Sequence, residues 1–484
     1  MTIPKEVKLV IETLEKKKFE AFVVGGCVRD ILRGEEPKDW DVATSANPQE
    51  IKKIFPESFY ENKFLTVTVL TKSRKESLKE IEVTTYRQEA KYTDKRHPDE
   101  VRAAKNLRED LARRDFTINA IALNSKKEIV DPFSGQEDLK KKIIRAVGNP
   151  KERFAEDALR MMRAVRFVSV LGKGWSIEEE TAKAIKANAA SLKEISKERI
   201  RDEFLKMIMS ERAAEGVEML RELGLLKNII PELEEGYRVG QNKHHIYECY
   251  EHSLKSLEYA AKQGFNMYVR VAALLHDIGK PRSKRGEGKD STFYGHEIIG
   301  ARMASGILDR LKFSKKDAEK IVLLVRYHLF YYNVGEVTES SVRRLVKQVG
   351  PENMDELLQV RMSDRIGSGV PKAEPYKLRH FRYLIDKVSQ DPISAKMLKV
   401  SGNDVIKDLK IEPGRKIGQI LEILLDEVLS EPKKNNKIYL YKEILKLGKL
   451  SESELAKLAQ RAKKQKEGLE MKKDEMTKKK YWVV

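Results

Sequence analysis

Two features of this 484-residue chain predict an α+β architecture, a small mixed α/β head followed by all-helical domains. Over residues 1–142, short apolar runs of strand length alternate with stretches of helical spacing, and after about residue 150 the strand signal nearly vanishes. From there on, RFAEDALRMMRAVRF, IEEETAKAIKANAASL and KERIRDEFLKMIM all carry the helical period. The chain is too long for one core at about 150 residues per domain, so several domains are expected.

The elements follow in order. Val7, Val10, Ile11 and Leu14 share one face of a helix over 5–18. FEAFVV (19–24) reads as a strand ending at Gly25-Gly26, followed by a short helix, VRDILRG, and the strand DWDVAT. Ser45 is placed to cap the helix NPQEIKKIF, and FLTVTVL and IEVTTYR are further strands. The polar segment 86–110 has no strong period and reads as a loop. Breaks near 231–240 and 367–375 divide the helical part. The expected domains are a head (1–148), a helical neck (149–236), a histidine-bearing helical domain (237–372), a helical tail (373–450) and a basic extension (451–484). The extension holds ten Lys/Arg against six Asp/Glu and reads as a frayed, solvated helix, with a phosphate-contacting arm as the alternative.

Composition narrows the partners. Charged residues make up 35% of the chain and the net charge is +19, which favours a polyanion, most simply nucleic acid. No apolar run approaches the ~18 residues of a membrane span, and the N-terminus has no signal-type apolar core. The two cysteines, Cys27 and Cys249, fall in different expected domains and read as reduced, so a cytoplasmic protein is expected.

The stretch GGCVRDILRGEEPKDWDVAT (25–44) carries the first candidate site. Asp39 and Asp41 lie on one side of a strand with Trp40 on the other. Like charges that close are unfavourable unless a cation compensates, and two hard oxygen ligands suit Mg²⁺. Gly25-Gly26 lets backbone approach a triphosphate, and Arg29 is placed to neutralise it. A surface turn with chance acidic residues is the bland alternative. Glu82 in IEVTTYR is a candidate third carboxylate, though alternation also lets it face water.

A second pattern lies in EDALRMMRAVRF, where Asp157, Arg160, Arg163 and Arg166 recur at intervals of three along one helical face. A carboxylate accepts from an exocyclic amine and a guanidinium donates to a ring acceptor. Cytosine and adenine present an amine beside an acceptor, whereas uracil and guanine present the opposite pattern. An ordinary salt-bridged helix would give the same spacing. A third constellation gathers His252, His276, His296 and His328 with Asp277 and Asp364, through HDIG, GHE, YHL and SDRIG. Imidazoles with carboxylates suit Mn²⁺, Fe, Ni²⁺ or Mg²⁺, and no cysteine in the pattern argues for zinc. His244 and His245, at an expected domain boundary, are assigned no role.

GGCVRDILRG…KDWDVAT resembles the head of the DNA polymerase β-like nucleotidyltransferases, specifically the class II tRNA nucleotidyltransferases and bacterial poly(A) polymerases. The resemblance continues in LREDLARRDFTINAIAL, DPFSGQEDL, RFAEDALRMMRAVRF and KERIRDEF. It implies that Asp39 and Asp41 bridge two Mg²⁺ ions and that Asp157 and Arg160 select CTP and ATP. It further implies that Arg163 and Arg166 line the same pocket and that Arg114 contacts nucleotide. YTDKRHP is similar to the flexible loop of members able to add the final A. The histidine set resembles the HD phosphohydrolase domain attached to many class II enzymes. That implies a divalent metal of unknown identity on His252, His276, Asp277 and Asp364, with His296 and His328 as second-metal or phosphate contacts. VSGNDVIKDLKIEPGRKIGQILEILLDEVL is similar to the family's tRNA-elbow-reaching tail. The resemblance therefore implies template-independent addition of CCA to the tRNA 3′ end from CTP and ATP, with tRNA as partner and no membrane. The alternatives are an A-adding-only enzyme, a poly(A) polymerase, or primarily an HD phosphohydrolase acting on RNA 3′ ends.

Overall fold

Strand β1 (Ala21–Val24) is the pivot of the head, because the glycine turn that follows it carries the first candidate site. The fold is that of a computed structural model, which describes residues 3–61, 65–90, 100–241, 246–389 and 395–483. YTDKRHP (92–98) and His244-His245 lie outside the described residues. The chain divides into two units, Met1–Leu329 with Asp355–Ala373, and Phe330–Met354 with Glu374–Val484. Residues 330–354, inside the stretch expected as the 237–372 domain, thus belong to the second unit.

In the first unit, β2 (Asp41–Thr44), β3 (Ser58–Glu61), β4 (Thr66–Leu70) and β5 (Glu80–Thr85) join β1. Among the described residues, strands β6 (Arg87–Ala90) and β7 (Glu100–Ala103) pair with each other, while β8 (Ala122–Leu123) and β9 (Ile129–Val130) complete the main sheet. Its order is β3-β4-β5-β2-β1-β8-β9. The β2–β5 pair is parallel and the other pairs are antiparallel. The helix Lys5–Lys16 buries Val7, Val10, Ile11 and Leu14 as its spacing predicts, against Val23, Val42, Val67, Ile81 and Val83 of the sheet. The helix Pro48–Ile54 is capped by Asn47, not by the expected Ser45. Asn47 and Glu50 form a capping box, and Ser45 Oγ instead accepts the Glu20 N–H at 2.9 Å.

Helices Pro150–Glu156, Leu159–Val170 and Lys197–Ile208 extend the unit beyond the sheet, and the last two pack together. Helices Cys249–Lys262, Met267–Leu275, His296–Arg310, Lys315–Tyr327 and Met354–Gly367 carry the histidine constellation. Among the described residues no helix is long and apolar enough to cross a membrane, and Cys27 and Cys249 are both free and buried.

The second unit is helical, with Val405, Ile420, Leu424, Leu440, Ile444 and Leu455 at its centre. The basic extension is not frayed: it forms a 29-residue helix, Glu452–Lys480. A Ser451/Glu454 capping box starts it, and Leu455, Ala459 and Ala462 are buried. Near its far end Tyr383 donates to Asp474, and the Tyr481 hydroxyl donates to Asp386 Oδ2 at 2.7 Å.

Candidate active site

Asp41 opens β2, and the parallel pairing sets it opposite Glu82 of β5. The ladder continues one residue back, where Glu82 N–H donates to the Trp40 carbonyl at 3.1 Å while the Trp40 side chain is buried. Asp41 therefore lies on the side of the sheet away from Trp40, whereas Asp39, expected in the same strand, is an exposed residue of the bend that precedes it, near enough for its charge to act on Asp41. Burial pushes the Asp41 carboxyl up to about 6; Arg114 pulls the other way, and the charges of Glu82 and Asp39 add to the rise. A half-buried carboxylate with two like-charged, exposed neighbours is a donor set that fits a divalent cation. Gly25, at φ +82° and ψ −138°, turns the chain beside it. A Cβ at Gly25 would lie 2.7 Å from Arg114 Nη1 and 3.4 Å from Asp41 Oδ2, so only glycine lets this guanidinium close on the turn. Arg114 also faces Asp110 Oδ2 at 3.5 Å. Arg29 lies beside Gly26 and is held by Asp30 at 2.9 Å and by Asn119 Oδ1 at 2.8 Å.

A cavity of about 460 Å³ brings Arg114, Asp157, Arg160 and Arg163 together, with Asp115 and Arg199 also in its wall. The sequence placed Asp157 on a helix face with the three arginines, and here the structure differs. The helix Pro150–Glu156 stops at Asp157, whose backbone is extended (φ −141°, ψ 103°), and a new helix starts at Leu159. The cause is the Asp157 side chain itself. Its Oδ1 accepts the Leu159 N–H at 3.0 Å, satisfying an amide that a continuous helix would have used internally. Its Oδ2 accepts from Arg199 Nη2 at 2.7 Å. Arg160 donates to Glu156 Oε2 at 2.7 Å and to the Arg113 carbonyl at 3.1 Å. Arg163 donates to Asp115 Oδ2 from both Nε (2.8 Å) and Nη2 (2.6 Å). Burial works against ionised Asp115, but Arg163 and Asn119 outweigh it and hold the carboxyl down at about 2. Arg166 is not among the residues lining this cavity; it pairs with Glu203 at 2.5 Å.

The histidines and aspartates converge elsewhere in the same unit. The ligand atoms of His252, His276, Asp277 and Asp364 all lie within 4.8 Å of one another, and so do those of Asp277, His296 and His328. All six side chains are buried. Asp277 is the shared member, with Oδ2 3.0 Å from His252 Nε2 and Oδ1 3.3 Å from His296 Nε2. His276, His296 and His328 each donate from Nδ1 to a carbonyl three residues back, at 2.7–2.8 Å. A carbonyl only accepts, so Nδ1 carries the proton and Nε2 is directed at the carboxylates, the orientation a metal-ligating imidazole needs. Lys280 reaches Asp277 Oδ2 at 2.5 Å and Gln241 Oε1 at 2.6 Å. Among the described residues, the head carboxylates form no such tight group.

Residues 21–145 match the family model for the Poly A polymerase head domain, 174–236 that for the "probable RNA and SrmB- binding site of polymerase A", and 249–365 the HD domain. The CCA-adding enzyme of Lactobacillus helveticus (strain DPC 4571) is 48% identical over 221 residues, 46% of this chain and 54% of that one. The first such alignments thus span about half the length of the curated relatives. That of Lactococcus lactis subsp. lactis (strain IL1403) is 32% identical over 445 residues, covering 91% of this chain and 97% of its own. The chain belongs to the CCA-adding enzyme family. A solved CCA-adding enzyme from Bacillus stearothermophilus, in complex with CTP, superposes with a TM-score of 0.59 at 29% identity, over 92% of this chain and 98% of that one. The α+β fold expected from the sequence is the fold of this family.

Sequence reasoning missed several residues that the structure brings to these two candidate sites. Asp115 and Asn119 lie within RRDFTINA, and Arg199 and Glu203 within KERIRDEF, segments whose family pattern was visible but whose individual roles were not. Lys280 follows His276-Asp277 by one helical turn, which is the signal that could have found it.

Proposed function

We propose that this chain adds C, C and A to the 3′ end of tRNA, taking CTP and ATP and releasing pyrophosphate. The observation that carries this reading is the meeting of two sites at Arg114. That residue lines the cavity holding Asp157 and Arg160 and also touches the Gly25 turn beside Asp41. A nucleotide with its base between Asp157 and Arg160 would then have its phosphates toward the glycine turn. Asp157 accepts from the exocyclic amine of cytosine or adenine, and Arg160 donates to the neighbouring ring acceptor. Arg114 and Arg29 offset the triphosphate charge. Asp39 and Asp41, with Glu82 beside them, would hold two Mg²⁺ ions. Such ions supply a more acidic 3′-hydroxyl and charge neutralisation for the leaving pyrophosphate. The net charge of +19 suits a tRNA partner.

A second activity is favoured by a separate observation, the buried cluster centred on Asp277. His252, His276, Asp277 and Asp364, with His296 and His328 on the other side of Asp277, would hold a divalent cation. Such a centre supplies an activated water for phosphoester hydrolysis. Asp277 and Lys280 would keep the histidine ring edges and the local charge fixed around it.

Purified protein with Mg²⁺ and tRNA transcripts ending before the Cs, after one C and after both tests the first reading. Three ordered additions that then stop are expected. Extension of only the CC-ended transcript would make the chain an A-adder, and a ladder of As would make it a poly(A) polymerase. No incorporation at all would sink the transferase reading.

A further inference from the structure

Asn119 stands between the two ends of the nucleotide site. Its Oδ1 accepts from Arg29 Nη1 at 2.8 Å, and its Nδ2 donates to Asp115 Oδ1 at 3.0 Å. The other oxygen of Asp115 accepts two N–H groups from Arg163, at 2.8 and 2.6 Å. This chain of bonds runs from Arg29, beside Gly26 at the phosphate end, to Asp115 and Arg163, which line the cavity at the base end. Asn119 and Asp115 are only 6% and 7% exposed, so water does not substitute freely for either partner.

The chemistry of the link selects its residue. A guanidinium can only donate and a carboxylate can only accept, so whatever joins Arg29 to Asp115 must accept on one side and donate on the other. A primary amide does both, and the two charged partners fix its orientation. Aspartate would face Asp115 with like charge, and leucine would sever both bonds. The two arginines also share a packing surface: Arg29 and Arg163 lie 5.2 and 5.5 Å from the centroid of the Phe167 ring. Arg163 and Arg29 are therefore linked both through hydrogen bonds and through a common ring.

We propose that Asn119 is a positioning residue that couples base selection to the seating of the triphosphate, a role that rests on the nucleotidyltransferase reading above. With an accepted base in the cavity, Arg163, Asp115 and Asn119 keep Arg29 aimed at the phosphates. A rejected base that disturbs Arg163 loosens Arg29, so discrimination is expressed in turnover as well as in binding.

The test uses the full-length protein, Mg²⁺, a tRNA transcript lacking CCA, and each of the four nucleoside triphosphates. Asn119→Leu, close in size and without polar atoms, is expected to lower kcat for CTP about 10-fold with a smaller change in KM, and to lower the CTP-over-UTP ratio of kcat/KM about 10-fold. Arg29→Ala should give a similar loss, and the double variant should be no worse than Arg29→Ala alone, because both changes break one relay. If Asn119→Leu does not fold, Asn119→Ala, which also removes both bonds, is subject to the same criteria. A uniform loss for all four nucleotides, or additive losses in the double variant, would overturn the coupling and leave Asn119 a packing residue. If wild-type protein incorporates nothing, the transferase reading fails and this inference falls with it. Wild-type addition with uniform variant losses removes the inference alone.

Discussion

Replacing Gly25 by alanine separates backbone strain from damage to the site. Gly25 sits at φ +82° and ψ −138°, a conformation that costs a residue with a Cβ about 1–3 kcal/mol. The added Cβ would lie 2.7 Å from Arg114 Nη1, well inside van der Waals contact. Arg114 must withdraw, and the charge it presents between the Gly25 turn and the cavity is lost or misplaced. A displaced charge-assisted contact is worth roughly 1.5–3 kcal/mol, which corresponds to about 10- to 100-fold in kcat/KM. Gly34 supplies the control: it also has positive φ (+78°), but a Cβ there meets nothing within 4 Å. Gly34→Ala should therefore cost about 1–2 kcal/mol of stability with CTP incorporation unchanged. The assay is single-turnover incorporation of labelled CTP into a tRNA transcript lacking CCA, with thermal melts of both variants alongside. Equal losses of incorporation in Gly25→Ala and Gly34→Ala would refute the reasoning, since strain alone would then account for both.

Three further outcomes are expected. Asp157→Asn replaces an acceptor-only group with one that also donates, so the CTP-over-UTP ratio should drop about 10- to 100-fold, read from single-nucleotide incorporation; an unchanged ratio would remove Asp157 from base reading. His276→Ala and Asp277→Ala should each lower the divalent metal content of the purified protein, measured by elemental analysis, while leaving nucleotide incorporation intact; unchanged metal content would count against that centre. Asp115→Asn removes a carboxyl held at about 2 against an ordinary 3.8, a gap worth about 2 kcal/mol. Because the folded value is the lower one, that stabilisation is complete above about pH 4 and is lost as pH falls through about 2. The stability difference between wild type and Asp115→Asn should stay constant from pH 8 to 5 and narrow below 4, and a difference that widens on acidification would contradict the assigned cause.

What could be read from the sequence was what local spacing encodes. Val7, Val10, Ile11 and Leu14 had to share a face, because that period is a property of the backbone, whereas the expected strand DWDVAT begins only at Asp41 and leaves Asp39 in the bend before it. The position of Glu82 was not legible in the same way. Alternation gave it two faces to choose from, and the choice follows from the parallel register of β5 on β2, a pairing between segments about forty residues apart. The helix cap at Asn47 was a local signal that was open to reading: Asn-Pro-x-Glu is a capping box with proline in the first turn, and it outcompetes Ser45. The order of the C-terminal helix was not local. Its charge run looks like a solvated face, but Tyr383 and Asp386, some ninety residues upstream, hold Asp474 and Tyr481.

The break at Asp157 bears on the proposed base reading, which a continuous helix would serve less well. EDALR contains strong helix formers and neither glycine nor proline, so propensity favours continuity. A carboxylate on an unbroken helical face would project on a side chain with several rotamers and water around it. In the broken form one oxygen is tied to the Leu159 N–H, at the positive end of the following helix, and the other to Arg199. Arg160 is fixed in turn by Glu156 and by the Arg113 carbonyl, and its side chain is buried. An acceptor and a donor that are both immobilised can reject a base by leaving its polar groups unpaired, whereas mobile ones would adjust to it. On the proposed reading, the exclusion of uracil and guanine would depend on partners that never meet the base, and Arg199, forty-two residues beyond Asp157, is the one that a local reading of the motif leaves out.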